Sequence, residues 1–153
     1  MQAKDIMTQP VITVKKDDTL SSVAVKLEEY NISGLPVIND ENRVIGIVSE
    51  FDLIKISDEL DLGCGRYPFA ALSPATSVES LSYLCRGLSS IGSTRVEEIM
   101  TRDVVTVETN TSLEDVSRLM IKRRINRLPV VEKGKLVGII TRNNLLKGLV
   151  DQI

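Results

Sequence analysis

The side chains best placed for chemistry come in two pairs, Ser49 with Asp52 and Thr141 with Asn144. The first pair lies in Gly46-Ile47-Val48-Ser49-Glu50-Phe51-Asp52, and the second in Gly138-Ile139-Ile140-Thr141-Arg142-Asn143-Asn144. Each stretch reads as a buried strand running straight into a helix, with a hydroxyl at the junction. A hydroxyl there can cap orphan N–H groups or meet a ligand's phosphate. The polar residue three positions on shares its helical face, so the two could address one small molecule. The other reading is an N-cap followed by a solvated side chain. Catalysis finds little support, since the chain has no His, no Gly-Lys-Ser/Thr phosphate loop and no convergent acid cluster. No catalytic residue and no metal site are expected.

The elements that position these pairs are duplicated. Ile6-Met7-Thr8 returns as Ile99-Met100-Thr101, an offset of 93. At that offset Val11, Thr13, Leu20, Val23 and Ile32 meet Val104, Thr106, Leu113, Val116 and Ile125, and Leu35-Pro36-Val37 meets Leu128-Pro129-Val130. One residue is lost in a turn, and Gly46-Ile47 then meets Gly138-Ile139 at an offset of 92. Such register over about fifty residues marks an internal repeat.

Each repeat predicts the order β-α-β-β-α. Val11 to Val14 reads as a short β-branched strand. Asp17-Asp18-Thr19 and Asn110-Thr111-Ser112 signal helix starts, followed by Leu20, Val23, Ala24 and Leu27 or by Leu113, Val116 and Met120 at amphipathic spacing. Leu35 to Ile38 and Val44 to Val48 form a strand pair around a polar turn, matched by Leu128 to Val131 and Leu136 to Ile140. A second helix carries Leu53, Ile54 and Ile56, or Leu145, Leu146 and Leu149. One repeat buries too little to be secure alone, so the two are expected to pack about a pseudo-twofold axis with a cleft between them. The chain divides into repeat 1 over 1–56, a connecting insert over 57–95 and repeat 2 over 96–153. In the insert, Ser77 could cap a helix carrying Leu81, Leu84, Cys85 and Leu88, which either packs on its own core or covers a cleft or partner.

Composition narrows the function further. Of 153 residues 42% are hydrophobic but only 3% aromatic, so the expected core is aliphatic. Nineteen basic and 21 acidic residues give a net charge of −2, which argues against nucleic-acid and membrane partners. Cys64 and Cys85 lack CxxC spacing and are expected to be free thiols. The N-terminus has no apolar signal region, and no run approaches the ~20 apolar residues of a membrane span. A soluble cytoplasmic protein is expected.

With the repeats aligned, the sequence resembles the tandem cystathionine-β-synthase-type repeat, the CBS pair or Bateman module. The resemblance rests on Asp5-Ile6-Met7-Thr8, Ile32 to Val37 and Gly46 to Leu53, and again on Glu98 to Thr101, Ile125 to Val130 and Gly138 to Leu145. It implies an α+β fold and a non-catalytic regulatory module that binds an adenosyl ligand between repeats. AMP, ADP or ATP rank ahead of S-adenosylmethionine or NAD, and no cofactor is implied. Carried over, the first site would use Ile47, Ser49 and Asp52 with Thr101, Val105, Asn126 and Arg127. Asp52 would take ribose, Ser49 and Arg127 phosphate, and Val105 the base. The second would use Thr141 and Asn144 with Thr8, Ile12, Ser33 and Gly34. Asn144 stands where the family has an acid, and its neutral carbonyl is a weaker acceptor, which ranks this site second. The basic run Lys122 to Arg127 would favour an anionic ligand, though Lys122 and Arg123 also suit a solvated helix end. The resemblance further implies a homodimer and possible regulation of an enzyme or transporter. The competing reading is a scaffold with unoccupied pockets.

Overall fold

The computed structural model describes residues 1–59 and 92–151. The helix expected after Ser77 and both cysteines lie outside the described residues. In chain order the elements are α1 (Ala3–Ile6), β1 (Val14–Lys15), α2 (Leu20–Glu29), β2 (Gly34–Ile38), β3 (Val44–Ser49) and α3 (Glu50–Glu59). A 3-10 turn (Val96–Glu98) then leads to β4 (Val107–Glu108), α4 (Leu113–Arg123), β5 (Arg127–Glu132), β6 (Lys135–Thr141) and α5 (Arg142–Val150). The fold is α+β, with two three-stranded sheets ordered β1-β2-β3 and β4-β5-β6.

The β-α-β-β-α order is present twice, preceded each time by a helical turn that the apolar periodicity did not announce. The opening strands are shorter and later than expected, beginning at Val14 and Val107. In the first, Pro10 has no N–H to give a ladder, and the preceding backbone is already spent: Thr8 and Ile139 exchange N–H···O bonds of 2.8 and 3.2 Å.

Local signals set the helix boundaries. Thr19 accepts a bond from the Ser22 N–H at 3.3 Å and starts α2, whose buried face is Leu20, Val23, Ala24 and Leu27. Ser112 accepts from the Asp115 N–H at 3.1 Å and starts α4, which buries Leu113, Val116 and Met120. Acidic Glu114 and Asp115 occupy its first turn, and basic Lys122 and Arg123 its last, each sign suited to the helix dipole there. Both cations are exposed, as a solvated helix end requires.

The residues form two compact units, and these are not the two repeats. One takes Met1–Thr13, Ile38–Ile45 and Asp103–Ile153; the other takes Val14–Val37 and Gly46–Arg102. Each unit therefore contains the opening segment of one repeat and the helix-bearing part of the other. In the first unit β5 pairs parallel to β4 and antiparallel to β6, with a register from Arg127↔Thr141 to Glu132↔Lys135. Lys133 and Gly134 close that hairpin with φ of 51° and 78°, the left-handed values a two-residue turn demands. Its core joins Ala3, Val107, Val116, Met120, Leu128, Val130 and Ile140. In the second unit Leu20, Val23, Leu35, Val37, Val48 and Val96 are fully buried. At about 1.5–3 kcal/mol for each large side chain removed from water, these aliphatic sets carry most of the fold's stability.

Candidate functional site

Strand β3 passes into α3 with no residue between them, and β6 passes into α5 in the same way. The two hydroxyl residues end their strands, so the first N–H groups of each helix open beside them.

In the unit that holds Gly46–Arg102, Ser49 gives both its N–H and its hydroxyl to one oxygen of Asp52, Oδ2, at 2.8 and 3.1 Å. Asp52 Oδ1 takes part in neither bond. Ser49 and Asp52 are half-buried. Thr101 joins them through the main chain, exchanging N–H···O bonds of 2.9 and 3.0 Å with Ile47. Ser33 is tied in as well, its carbonyl accepting the Glu50 N–H at 3.0 Å, and Gly34 follows it at the start of β2.

The other unit repeats this arrangement with different chemistry. Asn144 Oδ1 accepts the Thr141 N–H at 2.9 Å and the Thr141 hydroxyl at 2.7 Å. The Asn144 N–H returns to Thr141 Oγ1 at 3.4 Å, closing a capping box. Unlike a carboxylate, Asn144 also has donors, and its Nδ2 gives a bond to Thr8 Oγ1 at 3.1 Å. Beside it lies an open hollow of about 180 Å³ lined by Asp5, Ile6, Asn144, Lys147, Gly148 and Asp151.

Within a unit, each opening threonine meets the hydroxyl junction of the other repeat: Thr101 with Ile47, and Thr8 with Ile139. The Leu-Pro-Val strands instead start beside the junction of their own repeat. Arg127 stands opposite Thr141 in the β5–β6 ladder, and the Asn126 carbonyl accepts the Arg142 N–H at 3.2 Å. Of the residues expected together with Ser49, the structure therefore places Ile47, Asp52 and Thr101 in its unit, while Val105, Asn126 and Arg127 belong to the unit of Thr141. Of those expected with Thr141 and Asn144, it places Thr8 and Ile12 in their unit, while Ser33 and Gly34 belong to that of Ser49. Val105 is partly buried against the core of Leu128, Val130 and Ile140.

Two contacts escaped the sequence reading. Met100 lies over Gly46, and Met7 over Gly138, each filling the space where a Cβ would stand. Both methionines recur at the repeat offset, but nothing in the linear pattern says that each meets the other repeat's glycine. Among the described residues no group of His, Cys, Asp and Glu could hold a metal ion, and no helix is long and apolar enough to cross a membrane.

Two β-α-β-β-α repeats with matching strand-to-helix junctions define a tandem-repeat module. The chain belongs to the CBS domain family, whose pattern matches residues 3–59 and 96–151. An uncharacterized protein of Methanocaldococcus jannaschii is 32% identical over 155 residues, spanning 98% of this chain and 92% of that protein. Inosine-5'-monophosphate dehydrogenase from the same organism is 29% identical over 147 residues, which is 95% of this chain but only 23% of the dehydrogenase. Among solved structures, Arabidopsis thaliana CBSX2 in complex with AMP superposes with a TM-score of 0.73 at 29% identity, covering 99% of this chain and 97% of that one.

Proposed function

We propose that this protein is a non-catalytic regulatory module that binds AMP, ADP or ATP, with the Ser49–Asp52 junction as its principal ribose site. The observation that carries the reading is the state of Asp52. Ser49 holds one carboxylate oxygen from two directions, and the other is left to accept hydroxyl groups. A charged acceptor beside a helix start is suited to a sugar diol with a phosphate close by. The likeness to CBSX2, solved with AMP, supports an adenine nucleotide in particular. Thr101 lines the same junction.

The match to a small part of a dehydrogenase supports a module that regulates an enzyme rather than being one. A second reading, an interaction protein with unoccupied pockets, draws on the exposure of Phe51, Ile121, Leu146 and Val150. A thermal-shift panel with AMP, ADP, ATP, S-adenosylmethionine and NADH separates the two. A ligand at about 100 times its Kd adds roughly 2.7 kcal/mol, several degrees for a chain of this size. A selective rise with an adenine nucleotide, absent in Asp52→Ala, is expected. No rise with any of the five selects the interaction protein.

A further inference from the structure

We propose that Met100 is a positioning residue of the nucleotide site, locking Thr101 against the Ser49–Asp52 junction by seating on Gly46, and that Met7 makes the same lock for Thr8 at the second junction by seating on Gly138. The inference rests on the adenine-nucleotide reading above and adds the device that sets the geometry of Thr101 and Thr8.

The arrangement occurs twice, in separate units. A Cβ built on Gly46 would lie 2.5 Å from Met100 Sδ, 2.9 Å from its Cγ and 3.2 Å from its Cβ. A Cβ on Gly138 would lie 2.7 Å from Met7 Cγ and 3.0 Å from Met7 Cβ. The severe overlaps are with Sδ and Cγ, and the tighter-than-usual contact to the methionine Cβ adds a few tenths of an ångström that the opening segment itself has to give. The residue after each methionine is the threonine that exchanges two main-chain bonds with the residue after the glycine, Thr101 with Ile47 and Thr8 with Ile139. Methionine and glycine thus fix the height of the segment above the strand, and the paired backbone fixes its register. Met100 is only 7% exposed, so its seat is buried. Methionine suits the role, because an unbranched chain can lie flat along a strand where a branched one would not fit.

A residue that only fills the core would behave differently, and the sign of a double-variant effect separates the two. AMP affinity is measured by calorimetry well below the melting temperature, so that loss of stability does not empty the folded state. Gly46→Ala is expected to weaken AMP binding about tenfold and to speed hydrogen exchange at the Thr101 amide. Adding Met100→Ala to it removes the two shortest contacts, those to Sδ and Cγ, and leaves only the 3.2 Å one to Cβ, so the double variant is expected to bind AMP more tightly than Gly46→Ala alone. Losses that add, leaving the double variant the weaker of the two, would overturn the proposal. Should Gly46→Ala fail to fold, Met100→Leu keeps the apolar volume while branching at the contact. A Tm held within a few degrees with AMP binding about tenfold weaker is expected there, and unchanged affinity would overturn the positioning role. If the unaltered protein binds no AMP, the nucleotide reading falls, and with it the site role of the methionines. The lock itself is then decided by Thr101 exchange: fast in Gly46→Ala and slowed again in the double variant if it exists.

Discussion

Asn144 donates its side-chain amide to Thr8 Oγ1 at 3.1 Å, joining residues 136 positions apart at the second hydroxyl junction. Both lone pairs of its carbonyl are taken by Thr141. Asn144 therefore has no acceptor left to offer a ribose diol, whereas Asp52 keeps Oδ1. The protein is expected to bind one AMP per chain. Asn144→Asp removes the donor to Thr8 and restores a second carboxylate oxygen, and this variant should bind two. Titration calorimetry reads the stoichiometry directly; two sites in the unaltered protein would contradict this account of Asn144.

The turn between β2 and β3 belongs to the unit of the second repeat, and Asn42 holds it there. Its carbonyl accepts the Leu136 N–H at 2.9 Å, and its Nδ2 donates to the Leu136 carbonyl at 3.0 Å. Its φ of 61° is left-handed. Asn42→Gly keeps that conformation and loses one hydrogen bond, a cost of about 1 kcal/mol. Asn42→Ala loses the bond and also the tolerance of left-handed space that sets Asn apart from Ala, for about 2–3 kcal/mol in all. Urea unfolding should therefore rank the variants with glycine above alanine; the reverse order would show that the backbone strain is absent.

Helix α4 sets a cap against a pair of salt bridges. Arg118 reaches Glu114 at 2.7 Å and Asp115 at 2.9 Å, but the three side chains are 58–80% exposed. Solvent screening leaves such pairs at roughly 0.3–0.5 kcal/mol each. The Ser112 side chain makes the cap bond to the Asp115 N–H and a bond from its hydroxyl to Asp115 Oδ2, and losing an N-cap costs about 1 kcal/mol. Ser112→Ala should lower Tm at least as much as Arg118→Ala, and only the Arg118 variant should lose its effect in high salt.

Most of the architecture could be read from the chain because the repeat supplied its own control. Leu20, Val23 and Leu27 predicted one buried helix face, and Leu113, Val116 and Met120 predicted the same face again. The opening turns at Ala3–Ile6 and Val96–Glu98 escaped notice because so short a helix has no periodicity; their boxes of Gln2 with Asp5 and Arg95 with Glu98 lie within three residues. The junction pairs were visible because Ser49 with Asp52 and Thr141 with Asn144 are local in sequence. What joins them to Thr101, Thr8 and the two methionines is not local. An exchange of opening segments between repeats leaves no mark on a linear pattern, since each segment carries the same residues wherever it packs.

Asp52 has an internal control built into the molecule. Asn144 shows that an amide oxygen can take the backbone N–H and the hydroxyl of the junction residue at 2.9 and 2.7 Å, as Asp52 takes those of Ser49 at 2.8 and 3.1 Å. Asp52→Asn should thus preserve the local cap, with a stability change under about 1 kcal/mol. It removes the charge that a ribose would meet. Charge-assisted hydrogen bonds are worth about 1.5–3 kcal/mol, so AMP binding should weaken by roughly ten- to a hundredfold. Asp52→Ala, by contrast, should lose both cap and affinity. Calorimetry with AMP alongside thermal melts separates the two effects. An Asn variant that melts normally and binds AMP as tightly as the unaltered protein would remove Asp52 from the ribose site, and a variant that unfolds would show that the carboxylate is structural first.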